Sequence, residues 1–176
     1  MLDLKSAIRA IPDYPKPGIV FRDLTTLMGD PTLFGQTCQA LADAHKSHGI
    51  THVAGIEARG FIFGAAVADR MNLAFVPVRK KGKLPAATIT KNYDLEYGQD
   101  TLEMHEDALP SGARVLLIDD LLATGGTAAA GAELIREAGG NVARAAFVVE
   151  LVGLPGRAKL EALDVEVLAL TSFQEA

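Results

Sequence analysis

The period of apolar positions changes along the chain, and each change predicts an element. Leu4, Ala7, Ile8 and Ile11 recur at helical spacing and predict a helix that ends at Pro12. Pro12-Asp13-Tyr14-Pro15-Lys16-Pro17-Gly18 predicts a stiff turn, because three prolines fix φ and remove backbone donors. Asp30-Pro31 reads as a cap followed by proline in the first helical position. Leu33, Phe34, Cys38, Leu41, Ala42 and His45 carry that helix's apolar face toward Gly49. From His52 onward, short apolar runs alternate with helical stretches. Strands are expected at His52–Ile56, Leu73–Val78, Arg114–Ile118, Ala145–Val149 and Val165–Leu170. Helices are expected at Gly60–Met71, Gly126–Ala138 and Gly156–Leu163. This order predicts an α/β fold whose central parallel sheet is flanked by helices, with ligands beyond the C-terminal strand ends.

One stretch breaks the alternation. Lys80–Leu109 is charged and interrupted by Gly82, Pro85 and Gly98, although Tyr93–Tyr97 and Thr101–Met104 could form a ribbon. A loop of such length inside a compact domain is uncommon. It reads either as a surface hairpin or as a lid over a site.

Composition narrows the picture. The chain has 176 residues, 49% of them hydrophobic and 22% charged, which fits one globular domain spanning 1–176. A formal net charge of −5 argues against a nucleic-acid partner, which calls for a basic face. The single cysteine, Cys38, excludes an internal disulfide and reads as a small buried hydrophobe. No signal segment is visible at Met1–Lys5, and no apolar run approaches the roughly 20 residues of a bilayer span. A cytoplasmic protein without a membrane partner is expected.

The strongest chemical signal is Val115-Leu116-Leu117-Ile118-Asp119-Asp120-Leu121-Leu122-Ala123-Thr124-Gly125-Gly126-Thr127. A buried-type run ends in two adjacent carboxylates, then a glycine turn between threonines, then a helix. Ala123, Thr124, Gly125, Gly126 and Thr127 supply backbone N–H groups and two hydroxyls at a helix start, which suits a terminal phosphate. Asp119 and Asp120 repel one another and suit sugar hydroxyls and a cation. The plainer alternative is that one aspartate caps a turn. A Walker loop and Gly-x-Gly-x-x-Gly are both absent from the sequence. The second signal is Gly55-Ile56-Glu57-Ala58-Arg59-Gly60-Phe61, again at a predicted strand end, where Arg59 can present a guanidinium to an anion. Arg79-Lys80-Lys81-Gly82-Lys83 follows a third strand end and reads either as an anion contact or as a solvated charge run. The four histidines show no catalytic or metal-binding spacing, and no resident metal site is expected.

These residues closely resemble the type I phosphoribosyltransferases, in the form found among their adenine-using members. Asp119–Thr127 resembles the family's phosphoribosyl-pyrophosphate motif. Pro12–Asp23, Glu57–Phe61, Arg79–Pro85 and Leu95–Gly98 extend the likeness, in order, over nearly the whole chain. The resemblance implies a small N-terminal hood at about residues 1–30 and a flexible catalytic loop at about 80–109. It implies transfer of ribose 5-phosphate from 5-phosphoribosyl 1-pyrophosphate to adenine, giving AMP and pyrophosphate, with Mg²⁺ carried by the substrate. Ala123–Thr127 would then hold the 5′-phosphate, and Asp119 and Asp120 the ribose hydroxyls. Glu57, Ala58, Arg59 and Gly60 would hold pyrophosphate, in a loop where a cis non-proline peptide is frequent. Arg79 and Lys83 would add contacts, from a neighbouring subunit of a homodimer. Val20 and Arg22 would read the base through backbone groups, with Leu151 against its ring. Glu96 and Tyr97 would belong to the catalytic loop, Glu96 as the proton-transfer group. Tyr14 stands where the family often has Phe, and Glu106 where it often has a basic residue. A transferase for a 6-oxopurine or xanthine is the nearest alternative, and a non-catalytic nucleotide sensor on the same fold a more distant one.

Overall fold

The computed structural model describes residues 3–94 and 98–174. Its elements are α1 (Leu4–Ala7), β1 (Arg9–Pro12), β2 (Val20–Asp23), α2 (Thr25–Met28), α3 (Pro31–Asp43), β3 (His52–Ile56), α4 (Arg59–Met71), β4 (Ala74–Lys80), β5 (Thr88–Asp94), β6 (Gln99–His105), β7 (Arg114–Leu122), α5 (Gly126–Glu137), β8 (Asn141–Val152), α6 (Gly156–Glu161) and β9 (Glu166–Gln174). Seven strands form one sheet in the order β5-β6-β4-β3-β7-β8-β9. The run β4-β3-β7-β8-β9 is parallel, while β6 is antiparallel to both β4 and β5. The predicted parallel sheet is therefore present and carries an antiparallel hairpin on one edge.

Both faces of the parallel strands are buried, which is why β7 reads as a continuous apolar run. Val115 and Leu117 face one core with α5, α6 and the hairpin; Leu116 and Ile118 face the other with α2, α3 and α4. Asp30 caps α3 as its position predicts, its Oδ1 accepting from Thr32 N at 2.9 Å and Leu33 N at 3.0 Å.

Two expectations change. The N-terminal helix stops at Ala7, and Arg9–Pro12 pairs antiparallel with Val20–Asp23 in a separate two-stranded sheet. Four apolar positions are a short pattern, and a partner strand beyond the proline turn overrides it. Lys80–Leu109 is not a free loop either. Nearly half of it is β5 and β6, with Leu102 and Met104 fully buried and Tyr93 nearly so. Lys80, Lys91 and Asp100 are paired and Glu103 is buried, so their charge hid the strand pattern. What it forms is the hairpin alternative, and residues 95–97 of the expected lid lie outside the described residues.

Candidate active site

The site forms where β3, β4 and β7 end side by side. After β3, the Glu57–Ala58 peptide is cis, as the resemblance implied, and Arg59 opens α4. Gly60 lets α4 start hard against β7: a Cβ there would lie 2.8 Å from the Ile118 carbonyl oxygen and 2.9 Å from Asp119 Oδ1. That closeness brings Arg59 onto the carboxylates, and its Nε donates to Asp120 Oδ2. Asp119 and Asp120 lie within β7, not beyond it. After β7, Gly125 takes φ +76° with its Cα face against Gly156, where a Cβ would sit 2.6 Å from Gly156 Cα. Only glycine fits both conditions, and α5 begins at the next residue with its first N–H groups free of intrahelical acceptors.

Glu57, Ala58, Arg59, Lys80, Asp119, Asp120 and Thr127 line a cavity of about 240 Å³. Six of these lie in the two strand-end motifs read from the sequence. Lys80 was embedded in the basic run. Arg79 and Lys83 are not among these lining residues. The Arg79 guanidinium instead clasps Glu57, Nε to Oε2 at 3.1 Å and Nη2 to Oε1 at 3.0 Å, while its Nη1 donates to the Lys83 carbonyl at 3.0 Å. The clasp holds the Glu57 carboxyl below its usual pKa.

Glu103 is a residue that the sequence reading missed. It is 3% exposed, and its carboxylate accepts from the backbone N–H of Gly82 at 3.0 Å, Lys83 at 2.7 Å and Leu84 at 2.7 Å. Burial would raise its pKa, but those three donors outweigh burial and lower it. The basic segment is thus a turn wound around a buried carboxylate. Lys80 is fixed similarly: Nζ donates to Tyr93 Oη and to Asp100 Oδ2.

Electrostatically, Asp119 is the unusual group. Among the described residues it has no ion-pair partner, and its Oδ1 accepts from Asp120 N at 2.9 Å. Burial, then the neighbouring Asp120 charge, push its carboxyl well above the ordinary carboxylate range. A cavity lined both by a carboxylate under strain and by Arg59 and Lys80 offers groups for a sugar's hydroxyls and for anionic oxygens.

The hood strand β2 stands beside this cavity. Arg59 lies 5.7 Å from the Phe21 ring centre, and Arg22 lies 4.0 Å from that of Phe173. Phe173 pairs in register with Leu151 of β8. The predicted base-site residues Arg22 and Leu151 are therefore linked through one ring, which no local pattern of residues singles out. Val20 lies on the same short strand as Arg22. Glu96 and Tyr97 lie outside the described residues.

Comparison with known proteins agrees with this arrangement. The phosphoribosyl transferase domain model matches residues 33–175. The chain belongs to the phosphoribosyltransferase family. Within it, an adenine phosphoribosyltransferase of Parvibaculum lavamentivorans is 61% identical over 173 residues, covering 98% of this chain and 99% of the relative. One from Methylobacterium nodulans is 57% identical over 171 residues, covering 97% and 94%. The crystal structure of adenine phosphoribosyltransferase from Thermoanaerobacter pseudethanolicus superposes with TM-score 0.93 at 47% identity, covering 97% and 98% of the two chains. That of the Saccharomyces cerevisiae enzyme, complexed with an imino-altritol bisphosphate and adenine, gives 0.89 at 39% identity, covering 96% of each chain.

Proposed function

We propose that this phosphoribosyltransferase makes AMP by joining N9 of adenine to C1′ of 5-phosphoribosyl 1-pyrophosphate, with release of pyrophosphate as the C1′–O bond breaks. The observation that carries the reading is the cavity where the paired carboxylates Asp119 and Asp120 meet Arg59, Lys80 and the start of α5. Near full-length identity to adenine phosphoribosyltransferases supports the base.

The groups divide the ligand among them. Ala123–Thr127 hold the 5′-phosphate on unpaired helix N–H groups and the threonine hydroxyls. Asp119 and Asp120 hold the ribose hydroxyls and face the positive charge that develops on the ring as the C1′–O bond lengthens. Glu57–Gly60 and Arg59, with Lys80, receive the departing pyrophosphate, and Arg79 keeps Glu57 in place. Val20 and Arg22 read the adenine edge through backbone groups, and Leu151 packs on its ring. Glu96, with Tyr97 beside it in the sequence, takes the proton that N9 gives up.

Among the described residues, no three acidic, histidine or cysteine side chains cluster as a chelate. Asp119 and Asp120, which line the cavity, would stand as counter-charge to a Mg²⁺ brought in on the substrate's own oxygens. Bound there, Mg²⁺ would neutralise charge on the pyrophosphate. A cytoplasmic homodimer, in which Arg79 and Lys83 lie toward a second copy's site, completes the proposal.

The test is turnover of adenine, hypoxanthine, guanine and xanthine with 5-phosphoribosyl 1-pyrophosphate and Mg²⁺. Adenine is expected to be used, with the 6-oxopurines discriminated against by about 10⁴ or more through mismatched buried hydrogen bonds. Comparable kcat/KM for adenine and hypoxanthine would remove the base assignment and leave the transferase reading standing.

A further inference from the structure

Phe173, near the end of β9, is not used by the chemistry above, yet both parts of the hood converge on it. Arg22 of β2 stands 4.0 Å from its ring centre, and Lys5 Nζ of α1 stands 5.7 Å from it. The ring packs at the edge of the apolar core beside Leu151, its register partner on β8.

A two-stranded sheet has little stability alone. In β1 three of four residues are exposed, so β1–β2 depends on what β2 touches. Its neighbours Phe21 and Arg22 point to opposite faces, as successive strand residues do. Phe21 meets Arg59, and Arg22 meets Phe173. One contact ties the hood strand to the anion end of the site, and the other ties it to β9, the strand paired with the one that carries Leu151.

We propose that Phe173 is the positioning residue of the base slot: its ring sets the separation between the β2 backbone that reads the base and the Leu151 side chain that packs on it. This rests on the reading of Val20, Arg22 and Leu151 as the base site. The stacking of a planar guanidinium on an aromatic face fixes height and tilt together, which an aliphatic side chain of similar volume cannot do. Loss of the face would let β2 move relative to Leu151 without disturbing the cavity that holds phosphate and pyrophosphate. The effect should therefore fall on one substrate.

Phe173→Leu, Phe173→Met and Phe173→Tyr in the full chain test this. Steady-state KM for adenine and for 5-phosphoribosyl 1-pyrophosphate would be measured together with thermal melting. Leu and Met are expected to raise the adenine KM by about 2- to 30-fold, the span of a cation–π contact. The KM of the other substrate and kcat should stay unchanged, and Tyr, which keeps the face, should restore the wild-type value. Methionine is flexible enough to refill the core if the leucine variant fails to fold. An unchanged adenine KM in the folded variants would overturn the proposal. So would an equal rise for both substrates with lowered melting, which marks a general packing role. Wild-type protein that turns over another base but not adenine would instead overturn the base-site reading, and this inference with it.

Discussion

The two ends of one sheet use the same residue types to opposite effect. At the N-terminal end, Arg144 of β8 donates to Glu166 of β9, and its Nη1 donates to His48 Nε2 at 2.5 Å. Arg114 Nη2 donates to the His48 carbonyl at 3.0 Å, and fully buried His45 donates from Nδ1 to the Leu41 carbonyl at 2.7 Å. At the C-terminal end, Arg59 meets Asp120 and Arg79 meets Glu57, but a cavity of about 240 Å³ opens beside them and, among the described residues, Asp119 has no ion-pair partner. Arginine–carboxylate pairs occur at both ends, so such pairs do not mark a site. What marks it is a carboxylate kept against its own preference beside space for a ligand.

The comparison breaks most directly if charge removal acts alike at both ends. Asp119→Asn and Asp120→Asn are expected to lower kcat by about 10²–10³, the usual cost of losing one preorganised electrostatic group. Arg144→Met should leave kcat unchanged and lower the melting temperature instead. Steady-state kinetics beside thermal melts separate the two. Wild-type turnover in both aspartate variants would make the carboxylates structural.

Next in size is the phosphate cradle. A Cβ at Gly126 would already stand 3.1 Å from the Asp94 carbonyl oxygen, so a branched side chain must intrude between the hairpin and the α5 start. Gly126→Val is expected to weaken AMP binding by about 10- to 100-fold, the worth of one or more charge-assisted hydrogen bonds. Adenosine, which has no phosphate, should bind as before. Titration calorimetry of both ligands reads the difference, and equal AMP affinity would remove Ala123–Thr127 from the phosphate site.

How far the sequence foretold this contrast depends on whether a feature is local. The strand-end motifs were legible because Gly60, Gly125 and the adjacent aspartates answer to constraints within a few residues of chain. The parallel strands were legible from their unbroken apolar runs, such as 115–118. Glu103, Asp100, Tyr93 and Phe173 were not, because each acts on a partner between 7 and 151 positions away that only the fold brings near. Strand β1 was lost for the same reason, its partner lying beyond the proline turn. The His45–His48–Arg144 cluster left no readable spacing, since Arg144 is 96 residues from His48.

A smaller effect separates the ends by pH. Burial, the main cause, holds the His45 pKa below its ordinary value. The unfolded chain then binds the more protons, so this group's stability is present above about pH 6.5 and is lost as pH falls through its folded value. Melting temperature is expected to drop between pH 6.5 and 5, and His45→Leu should flatten that drop, whatever it does to stability at pH 8. A slope that survives in the variant would assign the acid sensitivity elsewhere.

The smallest expected change is also the one of opposite sign. The Asp119 pKa is raised in the folded chain, by burial first and the Asp120 charge second. A group raised on folding contributes its stability below its unfolded pKa and loses it as pH climbs through the folded one. At neutral pH, without ligand, Asp119 is therefore a net cost to folding. Asparagine keeps the size and can still accept from Asp120 N, but it has no charge to bury. Asp119→Asn should accordingly melt about 2–4 °C above wild type at pH 7.5 for each kcal/mol recovered, and the gain should vanish as pH approaches 4. Added 5-phosphoribosyl 1-pyrophosphate and Mg²⁺ should reverse the order, because only the wild-type carboxylate gains from the ligand's hydroxyls and cation. If the asparagine variant melts lower than wild type at pH 7.5 without ligand, Asp119 stabilises the fold as the pairs at the other end do, and the distinction drawn between the two ends fails at its central residue.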